Sequence, residues 1–385
     1  MSFRVHACHG FSKQDDSLEK NNFCVCLCCC FISAGSADLC HVAAMQVKPQ
    51  ERMFRAWDKN GDGILRRSEV PEGPRRIFDQ VDKDHDGKVT LAEHVAATYS
   101  AKSSRPPADS GDLKRHVIRQ TWSQEPDGFD REFFVHAPTN ASEKWPVTFL
   151  FHGNGGSARP TLGQWPRLLQ GHIVVSPQGY QRSWNILDEK SRAPDVEYFK
   201  SMVAEIKQKY LNADLSNISL IGFSNGAGYV FRLMIELDEA VLIRNAVPLI
   251  SSMVEQQYHQ KDFWNRSDDS KSIYDMKTVP VGTRHILTIH GTADRVVPYK
   301  GGMRGRTARH LSAQDTAYAW AVQQGFKGKQ LRDSEGTALS KEIVRYNYPQ
   351  AKVTHLKVVN GGHGFESVSR QVNDIVKEFI QANVR

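Results

Sequence analysis

The segment 218–228, ISLIGFSNGAG, constrains the fold more than any other part of the chain. Its first six residues form an apolar run that favours a buried strand, and a helical stretch follows them. Between the two lies GFSNG, in which Gly222 and Gly226 flank Ser224 where the chain must turn sharply. A glycine–x–serine–x–glycine turn between a strand and a helix predicts a serine exposed above the edge of a sheet.

The chain from residue 113 onward alternates between short apolar runs and helical stretches. Near-continuous apolar runs are typical of strands buried on both faces of a parallel sheet, so the pattern predicts an α/β layer fold. The predicted strands, of which the first two are expected to be antiparallel, are 116–122, 131–138, 147–151, 172–176, 218–223, 245–250, 285–290 and 354–359. The predicted helices are 195–210, 226–237, 309–324 and 366–383.

Two further segments complete a candidate catalytic site with Ser224. A serine hydroxyl needs a base to accept its proton, and in this type of fold an acid and then a histidine follow the serine along the chain. Strand 285–290 runs into Asp294 and strand 354–359 runs into His363, so both side chains are expected at the carboxyl ends of strands. We therefore predict Ser224 as the nucleophile, His363 as the general base and Asp294 as the acid that orients the imidazole.

A glycine-rich loop, HGNGGS, follows strand 147–151. Loops of this kind donate a backbone N–H group to the oxyanion in esterases and lipases. The predicted donors are the backbone N–H groups of Asn225 and of Gly153 or Asn154. Each such donor is typically worth about 3 kcal/mol in the transition state.

Two twelve-residue segments near the N-terminus, 58–69 and 82–93, read DKNGDGILRRSE and DKDHDGKVTLAE. Both match the EF-hand loop, in which alternate residues supply oxygen ligands and a glycine makes the sharp turn. The predicted calcium ligands are Asp58, Asn60, Asp62, the Ile64 carbonyl and Glu69 in the first loop, and Asp82, Asp84, Asp86, the Lys88 carbonyl and Glu93 in the second. The sequence thus predicts two bound Ca²⁺ ions and a short two-stranded ribbon between the loops. Arg66, at the ninth position of the first loop, is expected to weaken that site.

The two loops divide the chain into parts. Residues 46–100 are expected to form an EF-hand pair, which the polar linker 101–112 joins to a catalytic domain at 113–385. Pro71 cuts short the helix after the first loop. A short connection favours a structural or attachment role for the pair over switching of catalysis, because little helix is left to swing open.

The leader, residues 1–45, contains all seven cysteines and the apolar run FCVCLCCCFI at 23–32. That run is too short to span a membrane as a helix and suits the apolar core of a signal peptide, which predicts a secreted or periplasmic protein. A start at Met45 and a cysteine metal cluster are the alternatives.

Six segments of the catalytic domain resemble the polyhydroxybutyrate depolymerase and feruloyl esterase family of α/β-hydrolases. They are FHGNGGS (151–157), SPQGY (176–180), RSWN (182–185), GFSNGAG (222–228), HGTADRVVPYKGG (290–302) and NGGHGF (360–365). The resemblance implies an α/β-hydrolase fold with Ser224, Asp294 and His363 as the triad of a serine carboxylic-ester hydrolase that forms an acyl-enzyme. It implies polyhydroxybutyrate-type esters, feruloyl or acetyl esters of polysaccharides, or simple acyl esters as substrates. The chain departs from the family in having Gly364 and Phe365 where a Trp-Pro pair commonly follows the histidine, and in lacking cysteine in this domain.

Aromatic side chains are candidates for the substrate pocket, although core packing is the more common reason for each. They are Trp165, Tyr180, Trp184, Trp264, Tyr299 and Phe365. The polar insert 251–283 is either a partial lid over the site or a surface loop.

Charge and motifs narrow the range of partners. The net charge is +7, but no run of Lys and Arg exceeds two residues, so a solvated mixed surface is expected and no nucleic-acid partner. No nucleotide-binding glycine loop or zinc motif is found, and ester chemistry on this triad needs no cofactor. Two alternatives stay open: a serine peptidase on the same fold, and a calcium-dependent binding protein with an inactive hydrolase scaffold.

Overall fold

The computed structural model describes residues 54–70, 78–82, 84, 86–94, 113–139, 143–187, 189–268, 273–304, 308–365 and 367–384. The chain divides into two compact units, Met1–Lys102 and Ser103–Arg385. The leader, the linker and Pro71 lie outside the described residues, so the signal peptide, its alternatives, the localisation and the domain boundaries stay predictions. Among the described residues, no helix is both long and apolar enough to cross a bilayer.

The N-terminal unit contains both predicted EF-hand loops. Strand β1 (Ile64–Arg66) pairs antiparallel with β2 (Lys88–Thr90), with Leu65 opposite Val89. Helix α1 (Phe78–Val81) leads into the second loop, and residues 54–57 are helical before the first. A small core buries Phe54, Leu65, Val70, Phe78 and Val89. The ribbon predicted between the two loops is therefore present.

A ten-stranded sheet forms the centre of the C-terminal unit. Its strands are β3 (Leu113–Trp122), β4 (Glu125–His136), β5 (Trp145–Phe151), β6 (Ile173–Pro177), β7 (Ala213–Phe223), β8 (Ile243–Leu249), β12 (His285–Gly291), β15 (Thr337–Ala338), β16 (Ile343–Tyr348) and β17 (Val353–Val358). Six parallel strands, in the order β6-β5-β7-β8-β12-β17, form its middle. Antiparallel strands extend both edges, β4 and β3 on one side and β16 and β15 on the other.

Helices cover both faces of this sheet. They are α2 (Ala158–Leu162), α3 (Trp165–Leu168), α4 (Asp195–Lys209), α5 (Asn225–Glu236), α6 (Ala313–Gln323) and α7 (Ser369–Ala382). Side chains of α4, α5 and α6 belong to one buried cluster, and side chains of α2, α3 and α7 belong to the other. Alternate residues of each central strand enter the two clusters, as they must where both faces of a sheet are buried.

The predicted α/β-hydrolase fold class is confirmed for this unit by its mostly parallel sheet between two helical layers. All eight predicted strands and all four predicted helices are present with shifted ends. Short elements were missed, namely β9 (Tyr258–His259), β10 (Asp262–Asn265), β11 (Met276–Thr278), β13 (Gly302–Arg304), β14 (Ala308–His310), β15, β16, α2, α3 and three 3₁₀ turns. Because the carboxyl ends of parallel strands share one edge, β5, β7, β12 and β17 deliver their following loops to the same place.

Candidate active site

Ser224 occupies a strained turn between β7 and α5. Its φ of 54° and ψ of −115° lie outside the regions that non-glycine residues ordinarily adopt. The flanking glycines are required by contact, since a Cβ on Gly222 would lie 2.3 Å from the Gly226 carbonyl oxygen. A Cβ on Gly226 would lie 2.3 Å from the carbonyl oxygen of Phe151 at the end of β5. The bare backbone of the turn therefore packs directly against the strand that precedes the glycine-rich loop.

The structure brings the three residues predicted as a triad together. His363 Nε2 lies 2.8 Å from Ser224 Oγ, and His363 Nδ1 lies 2.7 Å from Asp294 Oδ2. A carboxylate only accepts hydrogen bonds, so Nδ1 carries the imidazole proton and Nε2 accepts the one from the serine hydroxyl. The His363 side chain is 25% exposed and that of Asp294 is 0% exposed. Solvent and small molecules can thus reach the histidine, whereas the acid is closed off.

Asp294 is held as an anion by four donors. The backbone N–H groups of Val296 and Val297 donate to Oδ1 at 2.8 and 2.9 Å, and Oδ2 accepts from His363. Burial raises the pKa of Asp294, but hydrogen bonds from His290, His363, Val297 and Val296 outweigh it and hold the pKa well below its usual value. An ionised Asp294 can orient the imidazole and stabilise the imidazolium that forms when His363 accepts a proton.

His290 is a positioning residue that the sequence analysis missed. Its Nε2 lies 2.9 Å from the Val297 carbonyl oxygen and 3.2 Å from Asp294 Oδ2. Since both partners are acceptors, Nε2 carries a proton and ties the loop after β12 to the acid. The available signal was a histidine four residues before the acid in HGTAD, at the end of the same strand.

The glycine-rich loop passes directly beside the nucleophile. A Cβ on Gly153 would lie 3.4 Å from Ser224 Cβ, so the backbone there borders the serine. The Gly153 carbonyl accepts hydrogen bonds from His152 Nδ1 at 2.8 Å and from the Gly156 N–H at 2.9 Å, which fixes the peptide plane that carries the Asn154 N–H. Asn225 is the first residue of α5, so its N–H has no acceptor within the helix. Both predicted N–H donors therefore belong to backbone next to Ser224.

The side chain of Asn225 fixes the start of α5. Its Oδ1 accepts from the Trp184 N–H at 2.7 Å, and its Nδ2 donates to the Trp184 carbonyl at 3.1 Å. Nδ2 also lies 3.3 Å from Glu189 Oε1. Glu189 Oε2 in turn accepts from the N–H groups of Ile186 and Leu187 at 3.0 and 2.6 Å. The loop after β6 thus holds Asn225, whose N–H is a predicted oxyanion donor.

Asn185 connects this loop to the rest of the domain. Its N–H donates to Asp195 Oδ2 at 2.7 Å, and Arg266 Nη1 donates to its Oδ1 at 3.0 Å. The Arg232 guanidinium donates to its carbonyl oxygen. Asp195 also pairs with Arg131 at 2.6 Å, and both of these side chains are 0% exposed. This Asn185 cluster joins β4, α4, α5 and the insert in one buried polar network.

A narrow cavity of about 20 Å³ lies beside Asn225. Ile186, Leu187 and Val297 supply part of its apolar lining, and Glu189 borders it as well. The volume corresponds to about one water molecule. Because the cavity reaches both the start of α5 and the loop that carries Asp294, it is the candidate position for the acyl group of a substrate.

The insert 251–283 contributes to this cavity. Over its described residues it contains the antiparallel sheet β11-β10-β9, and Phe263 packs against Trp320 on α6 with ring centroids 4.7 Å apart. Ser251, Ser252 and Val254 line the cavity. The start of the insert is therefore a wall of the candidate site.

The aromatic residues predicted for the substrate pocket lie in the core. At most 9% of each is exposed in Trp165, Tyr180, Trp184, Tyr299 and Phe365. The Trp184 ring stacks on Tyr229 at 4.7 Å, and the Tyr299 hydroxyl lies 2.9 Å from His355 Nε2. In the described part of the domain, the lining of the cavity beside Asn225 includes none of the predicted aromatics, Trp264 included. A part for them in substrate binding stays a prediction.

The second of the two predicted EF-hand loops has a donor set that suits a hard cation. Carboxylate oxygens of Asp82, Asp84 and Asp86 lie within 4.8 Å of one another. Asp82 is 4% exposed, and its Oδ1 is buried without a hydrogen-bond partner among the described residues. The other oxygen, Oδ2, accepts from the N–H of Gly87, whose φ is +81°. A buried carboxylate oxygen without a donor, inside a cluster of acids, fits Ca²⁺.

Comparison with known proteins gives structural similarity only. No family model and no curated protein matches the chain. A thermostable esterase is similar in structure at 14% identity and a TM-score of 0.44, over 71% of this chain and 64% of that one, so this chain spans less than two thirds of its length. The carboxylesterase of Bacillus cereus is similar at 15% identity and 0.40, over 66% and 95% of the two chains. A thermophilic esterase of Thermogutta terrifontis is similar at 14% identity and 0.43, over 72% and 94%. At these scores the fold assignment rests on the strand order and the serine turn described above.

Proposed function

We propose that the C-terminal unit is a serine ester hydrolase that acts through an acyl-enzyme. The observation that carries the proposal is the continuous chain of contacts from Ser224 Oγ through His363 to Asp294, at 2.8 and 2.7 Å. These side chains come from three loops that the parallel sheet brings to one edge, and the serine sits on a strained turn. Such an arrangement supports nucleophilic acyl transfer, in which a hydroxyl is activated by a positioned base.

The proposed reaction follows from this geometry. Ser224 Oγ attacks the ester carbonyl carbon while His363 Nε2 takes its proton, and the oxyanion receives hydrogen bonds from the N–H groups of Asn225 and of Gly153 or Asn154. The imidazolium then gives the proton to the leaving alcohol, which leaves the acyl group on Ser224. Water, deprotonated by the same imidazole, attacks the acyl-enzyme and releases the acid.

The cavity beside Asn225 bears on the substrate. Polyhydroxybutyrate-type esters, feruloyl or acetyl esters of polysaccharides, and simple acyl esters all remain candidate substrates for this chemistry. A cavity of about 20 Å³ favours short acyl groups among them, because it has little room. The Glu189 carboxylate at its border favours uncharged acyl groups, because it repels a group that carries a negative charge. We therefore expect acetyl esters to be turned over faster than butyryl or feruloyl esters.

The proposal is tested on the full chain with p-nitrophenyl acetate, p-nitrophenyl butyrate and aminoacyl p-nitroanilides. Ester hydrolysis that Ser224→Ala abolishes, together with labelling of the wild-type serine by a fluorophosphonate, is the expected result. Hydrolysis of the anilides but not the esters would replace the esterase with a peptidase on the same fold. No labelling and no turnover by a folded wild-type chain would favour an inactive scaffold.

We also propose that the N-terminal unit binds Ca²⁺ through its two loops. The unpartnered Asp82 oxygen, the acidic cluster around it and the paired loops support this. The ion would hold the loops folded and has no part in the ester chemistry. Removal of calcium with EDTA is expected to lower the melting temperature of the N-terminal unit and to leave kcat for p-nitrophenyl acetate unchanged. A change in kcat at unaltered stability would instead make calcium a switch.

A further inference from the structure

The two EF-hand loops share one backbone framework. In the first, the Gly63 N–H donates to Asp58 Oδ2 at 2.9 Å, and in the second, the Gly87 N–H donates to Asp82 Oδ2 at the same distance. The N–H at the ninth position of each loop donates to the glutamate at the twelfth, again at 2.9 Å in both. Any difference in calcium binding between the loops must therefore come from side chains.

The two loops differ in the side chain at the ninth position. In the second loop, the Thr90 hydroxyl donates to Glu93 Oε2 at 2.9 Å and adds no charge. In the first loop, Arg66 Nη1 lies 2.6 Å from Asp62 Oδ2 and 3.9 Å from Glu69 Oε2. Asp62 and Glu69 occupy the fifth and twelfth positions, whose carboxylates are ligands in an EF-hand loop. A guanidinium thus lies between two of the groups that calcium needs.

The other predicted ligands also give the first loop less negative charge than the second. Asn60 is an uncharged amide at the third position, where the second loop has Asp84, and its Nδ2 donates to Asp62 Oδ2 at 3.0 Å. In each loop the first aspartate, Asp58 or Asp82, keeps a buried Oδ1 without a hydrogen-bond partner among the described residues. The first loop therefore keeps one open oxygen but has fewer carboxylates, and one of these already contacts a cation.

We propose that the Arg66 guanidinium is a built-in cation of loop 58–69, so that the pair takes up Ca²⁺ first at loop 82–93. This inference rests on the calcium binding proposed above. Calcium entering the first loop must displace the guanidinium from Asp62 and Glu69 and then bind close to its positive charge. Affinity in EF-hand loops follows the charge of the ligands, so the first loop is expected to bind at least about tenfold more weakly than the second.

The test is calcium titration by calorimetry of the full, chelator-stripped chain. Wild type should show one tight and one weak site, and Glu93→Gln should remove the tight one. Arg66→Thr, which copies the second loop, should tighten the weak site about tenfold. Arg67→Thr is the matched control, because it removes the same charge one residue further along the chain. The Arg67 side chain pairs with Asp79, which is not one of the predicted calcium ligands. The converse change, Thr90→Arg, should weaken the tight site.

Each outcome is decisive. Two equal sites in the wild type, or equal effects of Arg66→Thr and Arg67→Thr, would overturn the inference and leave calcium binding in place. Absence of any calcium uptake by a chain that still hydrolyses ester would overturn the calcium proposal itself. A weak site that tightens only in Arg66→Thr, with Thr90→Arg loosening the other, would support the built-in cation and exclude a general charge effect.

Discussion

Replacement of Gly226 by alanine tests whether the serine turn and the glycine-rich loop are locked together. The added Cβ would lie 2.3 Å from the Phe151 carbonyl oxygen and 2.6 Å from that of His152, and both obstacles are backbone. A carbon needs at least 3.0 Å from such atoms, so the end of β5 must retreat by roughly 0.7 Å. That movement carries Gly153 and its loop away from Ser224.

The expected consequence is kinetic rather than structural. A misplacement of about 1 Å at a reacting centre can cost about 10²-fold in rate, and loss of one oxyanion donor about 10²–10³-fold. We expect Gly226→Ala to lower kcat for p-nitrophenyl acetate about 100-fold. Overpacking costs typically about 1–3 kcal/mol, and alanine regains up to about 1 kcal/mol in a helix, so the unfolding free energy should fall by at most about 3 kcal/mol.

Gly228→Ala in the same helix is the control. Its Cβ would meet only side-chain atoms of Ile186, the nearest at 3.3 Å, and a side chain can yield where a backbone cannot. Its kcat should stay within about threefold of wild type, although KM can change because Ile186 lines the cavity. The assay is steady-state hydrolysis alongside urea denaturation. A folded Gly226→Ala enzyme with wild-type kcat would refute the close packing on which this reasoning depends.

Three further changes probe the acid, a buried ion pair and buried histidines. Asp294→Asn should lower kcat by about 10⁴-fold through loss of the charge that orients the imidazole, and a loss below tenfold in p-nitrophenyl acetate assays would speak against that role. Asp195→Ala leaves Arg131 buried and unpaired, which should cost about 3–5 kcal/mol in urea denaturation, and a loss under 1 kcal/mol would contradict its burial. Burial lowers the pKa of His172 to about 4 and that of His355 to about 3, from 6.5. Below pH 6.5 the unfolded chain therefore binds more protons than the folded chain. The unfolding free energy should fall by about 1.4 kcal/mol per pH unit for each histidine as the pH is lowered from 6.5 to 4, and replacing His355 by glutamine should remove part of that slope.

Features that depend on short stretches of chain were predictable from the sequence. The positions of Ser224, Asp294 and His363 followed from three apolar runs, because parallel strands that end at one edge bring their loops together. The ribbon between segments 58–69 and 82–93 followed from the matching pattern of the two segments in the same way. By contrast, the exposed Arg345 and Asn347 interrupt the buried residues of β16 (IVRYNY), so it lacks the continuous apolar run used to find the central strands.

The side-chain contacts that support the triad were not predictable. His290, Glu189 and the Asn185 cluster act through partners that periodicity does not reveal, since a buried polar residue looks like a surface residue in sequence. The burial of the predicted aromatic residues was not predictable either, because a ring that lines a pocket and a ring that fills a core have the same composition signal. The Trp184 ring stacks on Tyr229 in the core, and its backbone N–H and carbonyl bind the Asn225 side chain at the start of α5.

The Asn185 cluster has a consequence for how activity is lost on heating. Asn185 is bound by Asp195, Arg232 and Arg266, and Asp195 in turn holds Arg131 of the opening hairpin. Its neighbour in sequence, Trp184, orients the start of α5 beside Ser224. Unfolding of any one of these remote segments leaves a charged side chain of the cluster without its partner. The same event loosens the start of α5 beside Ser224. Inactivation and melting of this domain should therefore form a single cooperative transition, with no folded but inert species between them.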